Sequence, residues 1–381
     1  MPLTGVRVLD LSRLLPGPFA TMILAGLGAD IIKVEDVGGG DYMRVMAPLQ
    51  GDTSAMFTAL NRGKRSLRLD LKTPRGRELF LDLAATADII LESFRPGVMD
   101  RLGLSTAVLH ERRRSLVVCS ISGFGQDGPD RLRAGHDLNY VARSGVLSVT
   151  GTAAGVPVIP GVQVGDIGGG ALTAVIAILA ALREAERSGE GSHCDVAMVD
   201  GLLTWMSPHI AAASAGSVTT PSGMLLNGAY PCYRVYRCAD GWMTVAALEP
   251  KFWQRFCDLV GADDIRDSAY ATGDEGRRTA DRLEAVLQTR TRAQWREHFG
   301  AEDVCCEPVL TVAEALVDPQ AAHRAQDADG EPVWFPFRVG ARAHAPLGPA
   351  PSLGADSRTV LAEIGVDDTD FEALVEQGVT A

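Results

Sequence analysis

No two of the seven cysteines in this 381-residue sequence stand as Cys-x-x-Cys, and an odd number without regular spacing speaks against both a disulfide framework and a zinc site. A reducing, cytoplasmic setting is expected. Long apolar runs are also lacking. The opening MPLTGVRVLDLSR has no signal-peptide core, and the most apolar helical stretch, 171–182, is closed by Arg183 and Glu184. Such a stretch is too short to span a bilayer, so no membrane partner is expected. Basic residues are in deficit, 36 Lys and Arg against 48 Asp and Glu, and a net charge of −12 excludes general nucleic-acid binding. P-loop and GxSxG motifs are missing too. With 46% apolar and 22% charged residues, the chain has the composition of a folded globular protein rather than a disordered one.

The charge that is present is unevenly spread. Residues 1–115 hold 16 basic and 13 acidic side chains, and 116–381 hold 20 and 35, so an anionic ligand should meet the N-terminal third. There the pattern reads strand 6–11, helix 18–27 and strand 30–35, then strand 66–71, helix 74–87, and strands 89–92 and 116–122. Such alternation predicts an α/β fold with a doubly wound, mostly parallel, Rossmann-like sheet. Further on, an apolar helix follows Gly168-Gly169-Gly170 to about Arg187, and a strand and helix follow over 193–210. The Ala/Ser/Thr-rich stretch 211–224 reads as a linker. Beyond it, 225–329 reads as a small α+β domain opened by a hairpin, 233–238 and 242–247, around Asp240-Gly241. The large domain is then 1–210, completed by 330–381, whose Pro- and Gly-dense start is expected to wrap over a surface before a final helix at 357–364.

Five segments carry candidate chemistry. Gly123-Phe124-Gly125-Gln126-Asp127-Gly128 is a literal GxGxxG after a strand, but Pro129 and a polar run follow, and no apolar helix opens there to receive a pyrophosphate. Gly135-His136-Asp137-Leu138-Asn139-Tyr140 sets an imidazole beside a carboxylate; the plain alternative is a capped helix start. Asp166 precedes three glycines that would let a ligand approach the backbone, at a helix N-terminus whose free N–H groups could hold an anion; capping is again the plain alternative. Residues 61–72, NRGKRSLRLDLK, concentrate five cations as either a solvated face or a phosphate site. Glu249 before Pro250 reads first as a helix N-cap region. The remaining histidines, 110, 193, 209, 298, 323 and 344, lack partners at informative spacing.

Taken in order, Leu15-Pro16-Gly17-Pro18, NRGKRSLRLDLK, FRPGV at 94–98, SGFGQDGP at 122–129, AGHDLNY at 134–140, GDIGGG at 165–170 and ALEPKFW at 247–253 make the chain similar to a known family. It resembles the α-methylacyl-coenzyme A racemases of the class III coenzyme A transferase superfamily over nearly its whole length. The resemblance implies an interlocked homodimer with the active site at the subunit interface. It implies an acyl-CoA substrate of lipid metabolism and no metal or cofactor beyond the coenzyme A that the substrate carries. His136 and Asp166 would be the two acid/base groups, and Glu249 would orient the imidazole. Coenzyme A would lie against Leu69, Asp70, Leu71 and Lys72 and near Arg95, with Gly135, Asp137 and Tyr140 also in the binding set. One departure stands out: racemase relatives carry an Arg after the second strand, whereas this chain has Glu35-Asp36-Val37. That role would pass to Lys33, Arg44 or Arg62, or the adenosine grip differs.

The implied reaction inverts Cα of a 2-methylacyl-CoA by 1,1-proton transfer through an enolate, with the N–H of Asp166 among the oxyanion donors. Leu14, Leu15, Leu225 and Leu226 are candidates for the apolar acyl surface. The alternative is a CoA transferase that moves CoA between carboxylic acids through an acyl-Asp166 intermediate. His136 favours the racemase branch, because transferases usually carry a non-basic residue there.

Overall fold

A computed structural model describes residues 1–325, 335–339 and 347–381. It divides into two compact units. The first comprises Met1–Ser144, Val162–Trp205 and Ala325–Ala381, and the second Gly145–Gly161 and Met206–Arg324. These boundaries differ from those read in the sequence. Residues 145–161 join the second unit, and the supposed linker begins inside a helix, Ser207–Ser214.

The first unit is built on strands β1 (Arg7–Asp10), β2 (Asp30–Glu35), β3 (Arg65–Arg68), β4 (Ile89–Glu92), β5 (Val117–Ser122) and β6 (His193–Ala197). They form one sheet in the order β3-β2-β1-β4-β5-β6, and every neighbouring pair is parallel. The order reverses between β1 and β4, which opens a crevice beyond their C-terminal ends where such sheets bind ligands. The inner strands β1, β2, β4 and β5 carry apolar residues at consecutive positions because both faces are covered. Leu9, Ile32, Leu67, Ile90 and Val118 pack in one core with Leu79, Phe80 and Leu83 of helix α1 (Pro74–Thr86) and with Val360, Leu361 and Leu374 from the C-terminus.

Helix α1 starts as its sequence dictates: Thr73 Oγ1 accepts the Gly76 N–H, and Pro74 occupies the first turn. At the C-terminus, helices Ser357–Ala362 and Asp368–Glu376 dock on β3, where the Ser66 and Arg68 N–H groups donate to Asp356 and Ser357. The second of those helices was not read in the sequence. Half of the expected wrap over 330–353, and His344 with it, falls outside the described residues.

The apolar helix is longer than its composition indicated. Gly165–Ser188 is a continuous helical run of 24 residues, long and apolar enough to cross a membrane; its most apolar 18 residues have mean hydropathy 1.8, and half of those are buried inside the protein. Its first part, Gly165–Leu172, is π-helical, and α-helix α2 (Thr173–Ser188) continues it.

The second unit holds the expected hairpin, β7 (Tyr233–Cys238) with β8 (Gly241–Ala246), so the tight connection is Ala239-Asp240, one residue earlier than read. A third antiparallel strand, Cys306–Pro308, completes that sheet. Its core gathers Tyr236, Met243, Trp253, Phe256, Trp295 and Phe299, the last two stacked at 5.3 Å.

Candidate functional site

The crevice at the reversal point is a cleft of about 570 Å³. Arg13, Leu14 and Pro16 come from the turn after β1, Ser93 to Pro96 from the turn after β4, and Ile121 to Gly123 from the end of β5. Gly135, His136, Asn139, Tyr140 and Asp166 complete the wall, together with Arg131 and Arg133. His136, Asp166, Arg95, Gly135 and Tyr140 are therefore brought to one space.

Each is positioned by local chemistry. His136 is the extended, exposed residue before helix Asp137–Arg143, and its N–H donates to Asn139 Oδ1 at 3.0 Å. The Tyr140 ring lies against two glycines: a Cβ at Gly123 or Gly135 would come within 2.4 or 2.7 Å of it. Its hydroxyl donates to the Gly135 carbonyl at 2.6 Å, and burial pushes its pKa up to about 12. The first glycine of the GxGxxG thus serves the packing of Tyr140, and the loop after it reaches no helix before Asp137.

Asp166 is half-buried, and its carboxyl has no hydrogen bond or ion pair among the described residues. Burial, and next the nearby Asp137 carboxylate, raise its pKa to about 7. Asp137 Oδ1 accepts the N–H of Gly165 at 2.7 Å and of Asp166 at 2.9 Å. The Asp166 N–H is consequently not an open oxyanion donor.

The glycine run also has a different purpose from ligand access. A Cβ at Gly168 would lie 1.9 Å from the Trp205 ring, and at Gly169 it would lie 2.5 Å from the Met198 carbonyl. These glycines let the run pack on helix Met198–Trp205.

The basic segment is turned largely inward. Lys64 is fully buried, pairing with Asp10 at 3.2 Å and donating to Thr21 Oγ1 and Asn61 Oδ1. Burial lowers its pKa to about 8, while Asp10, which burial alone would raise, is brought down to about 2 by Lys64, Lys33 and the Ser12 and Thr21 hydroxyls. Arg65 pairs with Asp30 and Glu363, and Arg68 donates to the Val37 carbonyl. Leu69 is buried and Leu71 packs on the core, so neither side chain forms an open ligand surface; Asp70 caps the local turn and Lys72 is exposed. None of the four lines the cleft.

Two of the proposed substitute cations are closed as well. Lys33 is fully buried against Asp41 at 3.0 Å, and Arg44 is held by both carboxylate oxygens of Glu35. Arg62 donates to the Leu347 carbonyl. Asp36, which stands where the resemblance leads one to expect a cation, accepts from Arg13 at 3.1 Å and so engages one of the cleft's own.

Leu14 lines the cleft with φ +61°, its N–H shared by both oxygens of Asp41. Leu225 and Leu226 are exposed residues of the second unit. Glu249 also belongs to that unit, exposed at the N-terminus of helix Pro250–Val260 with no cap bond from its side chain.

A family model described as CoA-transferase family III matches residues 3–357. The chain belongs to CoA-transferase family III. Among its family III relatives, it is 36% identical to the α-methylacyl-CoA racemase of Mus musculus, over 98% of this chain and 96% of that one. It is 35% identical to the acetyl-CoA:oxalate CoA-transferase of Acetobacter aceti, over 85% and 84%. A crystal structure of a CaiB/BaiF family protein from Brucella suis superposes with TM-score 0.83 at 31% identity, covering 96% of this chain and 99% of that one.

Sequence reasoning missed Arg13, Arg131 and Arg133 as members of the family III cleft. The signal for Arg13 was its place just past the C-terminal end of β1, where doubly wound sheets bind ligands.

Proposed function

We propose that the cleft inverts the carbon α to the thioester of a 2-methylacyl-CoA by 1,1-proton transfer through an enolate. The observation that carries this reading is an imidazole, His136, and an unpaired carboxyl, Asp166, on the wall of one cleft, the carboxyl titrating near neutral pH. A group with pKa about 7 serves as acid in one direction and as base in the other. His136 and Asp166 exchange those roles with the enantiomer. Four guanidinium groups, Arg13, Arg95, Arg131 and Arg133, line the cleft and favour both the coenzyme's phosphates and the negative charge that develops on the thioester oxygen. The reading needs no cofactor beyond the coenzyme A of the substrate. Glu249 is proposed to orient the imidazole within an interlocked homodimer, supported by its exposed carboxylate, which has no hydrogen bond or ion pair among the described residues.

Incubation of a 2-methylacyl-CoA in deuterated water tests the reading. The wild-type protein should place deuterium at Cα as it inverts the centre, and His136→Ala and Asp166→Ala should each abolish inversion. Unlabelled substrate recovered from active protein ends the proton-transfer model.

A second reading, CoA transfer, is favoured by transferase relatives at similar identity and by the same unpaired carboxyl. The Asp166 carboxylate would attack the thioester carbonyl, expel the coenzyme A thiolate and form a mixed anhydride. Hydroxylamine trapping of acyl-Asp166, together with dependence on a second carboxylic acid, would establish it.

A further inference from the structure

We propose that a second cavity, of about 270 Å³ beside the cleft, binds a short aliphatic carboxylate such as acetate or succinate. The cavity lies over one face of the sheet at β4, β5 and β6. Glu92 pairs in register with Ser120, and Val118 with His193, so alternation along the strands directs all four side chains to the same face. Glu92 and Ser120 are buried, 3% and 4% exposed. The Glu92 carboxyl accepts the Phe94 N–H at 2.6 Å, and Ser120 Oγ lies 2.9 Å from His193 Nε2.

The remaining polar lining is rich in unused donors. Gln126 is tethered by its backbone N–H to Asp195 at 3.0 Å, while its side-chain Nε2 is buried with no hydrogen-bond partner. A buried orphan amide is costly, and an acceptor arriving in the cavity would satisfy it. Arg95 and Arg131 also line the cavity, and neither has an ion pair among the described residues. A guanidinium fork with a primary amide presents the donors that a planar carboxylate takes.

Met99, Leu104 and Val118 supply apolar wall for a short hydrocarbon. Burial raises Glu92 to a pKa of about 7, and it lowers that of His193, so near neutral pH the carboxyl is partly protonated and can donate, while the imidazole is uncharged. Asp100 and the charged fraction of Glu92 line the same space and repel a second negative charge, so the monoanion acetate should bind more tightly than the dianions succinate and phosphate. The space is too small for an acyl-coenzyme A.

Arg95 and Arg131 line both the cavity and the cleft. An acid in the cavity and an anionic substrate in the cleft draw on the same two cations, so each lowers the other's affinity by a finite and equal factor. The site stands independently of which reaction runs in the cleft.

Equilibrium dialysis of the whole protein with radiolabelled acetate, succinate and inorganic phosphate at pH 7 tests the proposal without any turnover. Saturable binding of one carboxylate per chain is expected, weakened at least about tenfold by Gln126→Leu, which removes the orphan donor, and by His193→Phe, which removes the polar ring nitrogens from the lining. An unreactive acyl-coenzyme A thioether should raise the carboxylate Kd to a plateau. The proposal is overturned by no saturable carboxylate binding, by phosphate binding more tightly than acetate, or by unchanged affinity in either variant. A carboxylate Kd that climbs without limit as the thioether is added would place the acid in the cleft itself and overturn it too.

Discussion

Asp137 Oδ1 receives the backbone N–H groups of Gly165 and Asp166, and so fixes a second carboxylate beside the one that lines the cleft. The bonds tie the start of helix Asp137–Arg143 to the start of the glycine run, and with it His136 to Asp166. They also bring a like charge near Asp166, the smaller of two causes of its high pKa; burial is the larger. Asp137→Asn keeps an oxygen acceptor and removes the charge. The Asp166-dependent limb of the pH–rate profile should move to lower pH, yet stay above the ordinary carboxyl range because burial remains. Rates of deuterium wash-in measured from pH 5 to 9 on both enantiomers check this. An unmoved limb would mean that Asp137 acts through geometry alone.

The same carboxyl should cost the fold stability at high pH. Below its ordinary pKa of 3.8, both folded and unfolded chains hold the proton, and Asp166 contributes nothing. Between 3.8 and about 7 the folded chain holds a proton that the unfolded chain has lost, so stability falls as pH rises. Above that window the penalty is complete. Asp166→Asn should therefore be more stable than wild type at pH 8, by on the order of 2 kcal/mol, with little gain near pH 4. Urea unfolding at the two pH values decides it, and equal gains at both would refute the linkage.

How far the sequence was legible follows from the range of the interactions. Strands such as 30–35 and 89–92 announce themselves by local composition, and the parallel sheet follows from their alternation with helices. His136, Asp166 and Arg95 were readable as a set because each sits in a short, distinctive motif. The direction of Lys64 was not, since its partner Asp10 lies 54 residues away and only the folded chain brings them together. The glycines at 168–170 were misread for the same reason. Their purpose depends on Met198 and Trp205, which occupy the space a side chain would need.

Lys64 separates a buried ion pair from a phosphate site. Lys64→Met removes one partner and leaves the Asp10 carboxylate buried without its cation, which typically costs about 3–5 kcal/mol. Lys72→Ala, at an exposed position, should change stability by less than about 0.5 kcal/mol. Thermal and urea denaturation of both variants check the contrast. A stable Lys64→Met protein with weakened acyl-CoA binding would restore the phosphate-site reading of 61–72.

Gly169 tests the packing account of the glycine run most directly. A methyl there would meet the Met198 carbonyl at 2.5 Å and Leu202 Cγ at 3.1 Å, and the first of these is backbone, so it yields only if a helix shifts. Gly169→Ala should lower stability by about 1–3 kcal/mol, the usual range for overpacking. Leu202→Ala alone should also destabilise, because a buried leucine is lost. The double variant should not rescue Gly169→Ala, since the obstructing carbonyl remains. Denaturation curves for the three proteins settle the matter: full rescue would assign the clash to the leucine side chain, and an unperturbed Gly169→Ala fold with impaired substrate binding would return the glycine to the ligand.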